Sequence, residues 1–298
     1  MSAPAVIGAV ELGGTHVSAA RVSADTRAIE PGTLRRDDLP PGASRERLVG
    51  AIRGAALAVA DRRTRAWGVA VPGPFDYDRG VARLRGVHKL DALDGVDLRA
   101  ELIAALGLAG PGDVRFVNDA GAFLVGEWWV GAAAAHHGAI GITLGSGLGS
   151  AFLRDGALVT QGHGVPPDSR LDLVPFRGRP AEETLSRRGL VRAYAAVVGE
   201  RVEPVEIARR ARSGDARARE AFARFGTALG ELLSPWVDAF GPDSCVFGGS
   251  ISRAWDLFGP ELLAASPPAR RLAYAGVATH LDEAPLLGAA RHAIAAPS

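Results

Sequence analysis

Cysteine is almost missing from this 298-residue chain, in which Cys245 stands alone. One thiol excludes an intramolecular disulfide framework and a zinc site built from cysteines. Lysine is as scarce: Lys89 is the sole example among 34 basic side chains, so a mechanism that needs a lysine has one candidate. An excess of charge is missing too, because 34 Lys and Arg against 33 Asp and Glu leave a formal +1. Neither a nucleic acid nor an acidic membrane surface is therefore expected as a partner. The opening MSAPAVIGAVELGG has no basic n-region and meets an acid and two glycines at once. That speaks against a secretion signal or a myristoylation site, and a cytoplasmic location is the expectation. Trp128 to Leu153 carries no Asp, Glu, Lys or Arg and is long enough to span a bilayer. Its repeated glycines, with His136 and His137, read instead as buried strand and turn.

What is there is 47% hydrophobic, enough for one large core or two modest ones. Residues 5–23 read as two strands around a Gly-Gly turn. ERLVGAIRGAALAVADRR has helical spacing, and RAWGVAVPGPFD is a buried strand ended by Pro72-Gly73-Pro74. DLRAELIAALGL is an amphipathic helix with Asp97 as its N-cap. DVRFVNDAGAFLVGEWWVG is a strand that ends near Asn118-Asp119 and runs into a helix. AIGITLGSGLGSAFLRDGALV is a second strand-turn-strand unit. Three prolines and mixed charges between His163 and Arg179 predict a long loop. Beyond it, AEETLSRRGLVRAYAAVV and ARAREAFARFGTALGELLSPWVDAF are helices; Trp236 and Phe240 there read as core or a dimer face. DSCVFGGSISRAWDLFGPELLAA is strand, Gly-Gly turn and helix, and EAPLLGAARHAIAA is a last helix. The two glycine hairpins, each followed by α/β material, are the one internal repeat. They imply two related α/β lobes with a cleft between them.

Two glycine turns invite a phosphate. Glycine lets another group approach the backbone, and successive N–H groups form a concave anion site. Gly-Gly is also an ordinary hairpin turn, and LGGT alone favours that reading. A dinucleotide-binding loop requires G-x-G-x-x-G opening a helix. TLGSGLGS has Gly145, Gly147 and Gly149 at G-x-G-x-G spacing and continues as a strand, so that reading fails. No G-x-x-x-x-G-K-[ST] occurs, which excludes a P-loop.

The order of the motifs carries more than any one of them. ELGGT, NDAGAFLVGE from Asn118 to Glu127, TLGSGLG from Thr143 to Gly149, the Gly248-Gly249 pair and LLGAA at 286–290 follow one another along the whole chain. This order resembles the sugar kinases of the ROK family, within the actin-like and hexokinase-like ATPase superfamily. Glu11 stands where that family has Asp in D-x-G-G-T, and Gly121 where it has a second Asn in N-D-A-N-A. The resemblance implies an α/β fold of two actin-like, ribonuclease H-like lobes: 1–117, with the helix at about 286–298 packed back on it, and 118–285. It implies ATP and Mg²⁺ as cofactors and transfer of the γ-phosphoryl group to a sugar hydroxyl, usually at carbon 6. Asp119 is then the general base and Asn118 holds a neighbouring hydroxyl; a helix N-cap is the alternative for Asp119. Glu11 is the metal-side carboxylate, against a solvated strand-end charge. Gly13, Gly14, Thr15, Thr143, Gly145, Ser146 and Gly147 are phosphate donors, and Gly248 and Gly249 admit the nucleoside. Ser250, at the start of a helix, either caps it or touches the nucleotide, with the cap preferred. Pro72-Gly73 is either a turn beside the sugar or a plain strand-ending turn. Glu182, four residues before Ser186, is either a sugar contact or a first-turn helix acid.

The chain departs from the family in one region. The family's E-x-G-H sugar clamp and the C-x-C-G-x-x-G-C that follows it are both absent from GHGVPPDSRLDLVPFRGRPAEETLS, so no structural zinc is expected. Asp168 is the candidate replacement for the clamp glutamate, with Asp172 or Arg170 near the lost histidine; His163 reads as loop. A changed acceptor follows as the expectation: an amino sugar or a cyclitol, with glucose retained as an option. Repressors of the family carry a helix-turn-helix ahead of the first glycine turn, and here that turn begins at Glu11, which speaks against DNA binding. A catalytically weak sugar sensor is the second reading. The sequence does not determine oligomeric state, and a homodimer stays open.

Overall fold

A computed structural model describes residues 5–40, 42–84 and 88–294. The side chain of Lys89 and residues 295–298 of the expected last helix lie outside the described residues. The chain divides into two compact units, Met1–Val130 with Glu283–Ser298, and Gly131–Asp282.

In the first unit β1 (Val6–Leu12) and β2 (His16–Ser23) form the expected hairpin. Short strands β3 (Ala28–Ile29) and β4 (Arg35–Asp38) pair with β2. Helix α1 (Arg45–Val59) follows, capped by the Ser44 side chain accepting from the Arg47 N–H. Then come β5 (Ala66–Val71), a two-residue ladder of β6 (Phe75–Asp76) with β7 (Val81–Ala82), and α2 (Leu98–Leu106). The Asp97 side chain caps α2 through the Ala100 N–H, as its sequence predicts. β8 (Val114–Asn118) leads directly into α3 (Asp119–Val130). The sheet order is β3-β2-β1-β5-β8, with β1, β5 and β8 parallel.

β1 is buried on both faces, which is why VIGAVEL is nearly continuous in apolar residues. Val10 and Leu12 pack with Leu48, Ile52 and Val59 of α1. Ile7 and Ala9 point the other way, towards Leu286, Leu287 and Ala290 of the last helix (Ala284–Ile294). That helix lies so close that a Cβ on Gly68 would collide with the Ala289 carbonyl.

The second unit repeats the plan. β9 (Gly138–Leu144) and β10 (Leu148–Arg154) form a hairpin extended by β11 (Ala157–Leu158). After β12 (Pro175–Phe176) and β13 (Arg179–Pro180) come α4 (Arg187–Val198), α5 (Pro204–Arg212) and α6 (Ala216–Phe240). β14 (Ser244–Gly248), α7 (Trp255–Ala265), β15 (Tyr274–Val277) and the last helix, α8 (Ala284–Ile294), complete the chain. The sheet order is β11-β10-β9-β14-β15, with β9, β14 and β15 parallel. The core is the apolar face of α6, with Phe222, Leu229 and Leu233 beside Phe258 and Leu262 of α7. Phe240 joins that core and stacks edge-on against Phe152 at 5.2 Å.

Three differences from the sequence reading have physical causes. The change of unit falls after Val130 and before Glu283, not at 117/118 and 285, because α3 packs on α8 through Gly126 and Gly288. The Pro-rich stretch is not one open loop. It is held as 3₁₀ turns at Pro167–Ser169 and Leu171–Leu173 and a small hairpin, anchored by fully buried Leu171. The first part of AEETLSRRGLVRAYAAVV is a separate 3₁₀ turn, Ala181–Glu183, so α4 begins only at Arg187. Trp128–Leu153 is the end of α3 followed by the β9–β10 hairpin. Among the described residues no helix is long and apolar enough to cross a membrane.

Candidate functional site

In a sheet of parallel strands, ligands are met at the carboxyl ends, where the strands stop and the loops begin. Each unit carries one such edge, and the sequence-derived candidates gather on them in two sets.

On the first unit the register sets Glu11 beside Ala70 and Val71 beside Asn118. The hairpin tip, Pro72-Gly73 and Asn118-Asp119 therefore lie along one edge. At the tip the Gly13 N–H donates to the His16 carbonyl at 2.9 Å, which closes the hairpin around Gly14 and Thr15. Gly14 and Thr15 are exposed and their amides have no intrachain partner among the described residues. Neither glycine has positive φ, so the turn does not require glycine for its dihedrals. Close approach explains Gly13, where a Cβ would stand 2.6 Å from the His16 ring. Gly14 has no neighbour within 4 Å of that position, leaving bare backbone open to an incoming group.

Glu11 is half-buried on the same face as His16, two pairs further along the hairpin. Its Oε2 lies 3.6 Å from His16 Nε2, and Thr15 Oγ1 lies 3.5 Å from His16 Nδ1. Among the described residues no group of three or more His, Cys, Asp and Glu could hold a metal ion. A single carboxylate beside an exposed glycine turn would still suit Mg²⁺, which usually takes one or two carboxylates and completes its shell with waters and substrate phosphates.

Asn118 ends β8 and immediately precedes α3. Its Oδ1 accepts from the Ala120 N–H at 3.1 Å and the Gly121 N–H at 3.2 Å, so it is Asn118 that supplies the helix cap. Asp119 is the first residue of α3 and its Oδ1 accepts from the Ala120 N–H at 2.9 Å, where the helix dipole favours a carboxylate. Asn118 Nδ2 donates to Tyr77 Oη at 3.1 Å, and the Tyr77 hydroxyl donates to the Val71 carbonyl at 3.3 Å. Gly73 faces the same pair: a Cβ there would stand 3.4 Å from Tyr77 Oη and 3.9 Å from Asn118 Nδ2. Tyr77 was not legible from sequence, because only the β5–β8 pairing and the turn after Pro72 bring it to Asn118. His16 was legible in principle, since a two-residue hairpin loop sets it diagonally from Glu11.

On the second unit Gly248 lies beside Thr143 in the β9–β14 register. Gly145, Ser146 and Gly147 cross between β9 and β10 with a Gly145 N–H to Gly147 carbonyl bond of 3.0 Å. Gly145 and Gly147 also lack positive φ, whereas Gly249 has φ 83° and lies against the Leu144 backbone. Ser250 does not cap a helix; it is the first residue of a 3₁₀ turn without a side-chain cap. The buried hydroxyl there is Ser252, which donates to the Gly248 carbonyl at 2.6 Å. Glu182 lies against the glycine turn, accepting from the Leu148 N–H at 3.3 Å, and is not in the first turn of α4. Asp168 is exposed at φ 54°, and the following Ser169 is buried at φ 59°. Two adjacent non-glycine residues in the left-handed region cost energy unless their surroundings hold them. Here the Ser169 hydroxyl donates to the Val159 carbonyl at 2.6 Å, and Ser150 Oγ bridges the Ser169 carbonyl and the Leu171 N–H. Arg170 and Asp172 pair with each other at 2.8 Å through Nε and Oδ1.

The hairpin-led sheets define two α/β units of the actin-like ATPase fold. A likeness to the ROK-family glucokinase of Streptomyces griseus, solved with glucose and AMPPNP, shows the same fold at TM-score 0.75 and 24% identity, covering 96% of this chain and 98% of that one. The chain belongs to the ROK family, whose sequence profile matches residues 7–296. A glucokinase of Thermotoga maritima is 30% identical over 275 residues, 84% of each chain. An N-acetyl-D-glucosamine kinase of Pectobacterium carotovorum is 29% identical over 246 residues, 75% of this chain and 78% of that one.

Proposed function

We propose that this protein transfers the γ-phosphoryl group of ATP to a hydroxyl of a hexose or a sugar-like acceptor, the hydroxyl being that of carbon 6. The observation that carries the reading is Asp119: a carboxylate at the start of α3, on a strand-end edge shared with an open glycine hairpin and Glu11. Relatives named as a glucokinase and an N-acetylglucosamine kinase support a sugar as acceptor. They also keep an amino sugar among the candidates, with a cyclitol behind it.

In this reading Asp119 orients the acceptor hydroxyl and takes its proton. The oxygen then forms a bond to the γ-phosphorus as the bond from phosphorus to the β–γ bridging oxygen breaks, and ADP leaves. Positioning and charge stabilisation supply most of the rate in such a transfer. Asn118, Pro72, Gly73 and Asp168 are assigned to the acceptor. Gly13, Gly14, Thr15, Thr143, Gly145, Ser146 and Gly147 are assigned to the phosphates, and Gly248 and Gly249 to the nucleoside. Glu11 would hold Mg²⁺, which neutralises phosphate charge when bound.

ADP release is the test, measured with glucose, N-acetylglucosamine, N-acetylmannosamine and myo-inositol as acceptors. Turnover with at least one is expected. Asp119→Asn should lose about 10²- to 10⁴-fold in kcat while binding AMPPNP as the wild type does. A fully active variant removes Asp119 from the mechanism. Tight sugar binding without ADP release from any acceptor would return the sensor reading.

A further inference from the structure

Ser150 follows Gly149 in β10 and is buried. Its hydroxyl donates to the Ser169 carbonyl and accepts from the Leu171 N–H at 3.0 Å. Ser169 is buried too, and its own hydroxyl donates to the Val159 carbonyl at 2.6 Å. The Val159 N–H returns to β10, donating to the Phe152 carbonyl at 2.8 Å. Ser150 and Phe152 stand two residues apart on one strand, so these bonds close a ring between β10 and the Pro-rich segment. Beyond the ring Leu171 is fully buried, and Arg170 donates twice to the buried carboxylate of Asp172. The ring holds a strained pair. Asp168 and Ser169 are left-handed at φ 54° and 59°, a conformation that residues with a Cβ avoid. Asp168 is exposed, with its buried neighbour pinned on both its hydroxyl and its carbonyl.

We propose that Ser150 is a positioning residue for the acceptor: its hydroxyl holds Ser169 so that Asp168 keeps a fixed place. This rests on the kinase reading above, in which Asp168 is assigned to the acceptor. Strained non-glycine residues persist only where their surroundings over-determine them, and they gather at ligand clamps. Without the Ser150 hydroxyl, a buried carbonyl and a buried N–H lose their partner. The segment then relaxes towards ordinary dihedrals, and Asp168 moves with it. Ser150 also lies one residue beyond Gly149, the last glycine of the second turn. One strand therefore leads out of the phosphate turn and anchors the acceptor segment at once. Groups that must meet in a transfer gain from being fixed to one rigid element, because small displacements slow the reaction steeply.

Calorimetry on the full chain tests this, with AMPPNP and with the tightest-bound of glucose, N-acetylglucosamine, N-acetylmannosamine and myo-inositol. Ser150→Ala should weaken that acceptor about tenfold, because two buried polar groups lose their partner. Ser169→Gly suits φ 59° and keeps the carbonyl for Ser150, but loses the Val159 bond. It should weaken the acceptor about threefold to tenfold and leave AMPPNP affinity unchanged. It also keeps the result readable if Ser150→Ala does not fold. Double variants supply the readout that a plain structural anchor would not move. Asp168→Asn alone should weaken the acceptor. Adding Ser150→Ala or Ser169→Gly to it should then weaken binding by less than about twofold more, since both act through Asp168. Unchanged acceptor affinity in the single variants, Asp168→Asn included, would overturn the proposal. So would losses that add in full to that of Asp168→Asn, or equal losses of acceptor and AMPPNP. A wild type that binds an acceptor but neither binds AMPPNP nor releases ADP would instead overturn the kinase reading, and the acceptor affinities would still decide the role of Ser150.

Discussion

Asn118 has both ends of its amide engaged within the fold: the oxygen on the α3 amides, the nitrogen on Tyr77. Tyr77 therefore fixes the orientation of the Asn118 amide, and in the proposed reaction it would set which atom an acceptor meets. Tyr77→Phe removes one neutral hydrogen bond to Asn118, about 0.5–1.5 kcal/mol. The KM for the acceptor is expected to rise while AMPPNP affinity stays at the wild-type value. An unchanged KM would place Tyr77 outside acceptor recognition. Gly14 allows a different separation, because it is exposed, has no neighbour within 4 Å of its would-be Cβ and has no positive φ. Gly14→Ala should leave the urea unfolding free energy within about 0.5 kcal/mol of wild type. It should still weaken AMPPNP binding, since the methyl group enters the space assigned to phosphate. Equal nucleotide affinity would argue that the hairpin is only a turn. At this scale the residue types of ELGGT and NDAG were legible, but their partners were not: a side chain's neighbours depend on strand register and helix packing.

At the scale of elements, α8 is the piece that ties the end of the chain to its beginning. It packs on β1 and β5 and crosses α3 at Gly126 and Gly288. A Cβ on Gly288 would collide with the Ala122 carbonyl, and one on Gly126 with the Ala284 carbonyl. Backbone is in the way in both cases, so no side-chain rotation relieves the clash. Gly288→Ala is expected to destabilise the protein by about 1–3 kcal/mol, read as a lower urea midpoint. Wild-type stability would mean that the two helices slide apart without cost. The long helices were legible because periodicity and caps agree; Asp215 caps α6 through the Arg217 and Ala218 N–H groups. β15, α5 and the edge strands β3 and β4 escaped, being short or weakly patterned: YAGV is four residues, and RRDD in β4 is fully exposed.

For the whole molecule, surface carboxylates held by arginines set the acid limit. The Arg209 and Arg210 hydrogen bonds lower Glu206 to about 2. Arg21 lowers Glu30, Arg63 lowers Asp61, Arg187 lowers Glu203 and Arg212 lowers Asp256. Asp243 is lowered chiefly by the Gly138 N–H. A carboxylate with a depressed folded pKa stabilises the fold above its unfolded pKa, and that contribution fades as pH falls through the folded value. Tm should therefore be flat above about pH 5 and fall steadily below about pH 4, where unfolded carboxylates titrate. Thermal unfolding across pH checks this, and a drop that begins near neutral pH would point to a histidine instead. Added salt should reduce the effect of these exposed pairs.

The family was written in the order of short motifs, because an open glycine turn needs only bare backbone and a strand-end Asn-Asp only its own residue types. Those requirements are local and survive in the sequence. So were the two repeated sheets, since hairpin and parallel-strand patterns follow side-chain periodicity. The tertiary structure decided the rest. It assigned α3 to the first unit, turned the Pro-rich segment into anchored turns, and brought Tyr77 to Asn118 and Glu182 to Gly147. These contacts join residues 35 to 41 positions apart in the chain. No local pattern records such a pairing, because it exists only once the sheets have closed.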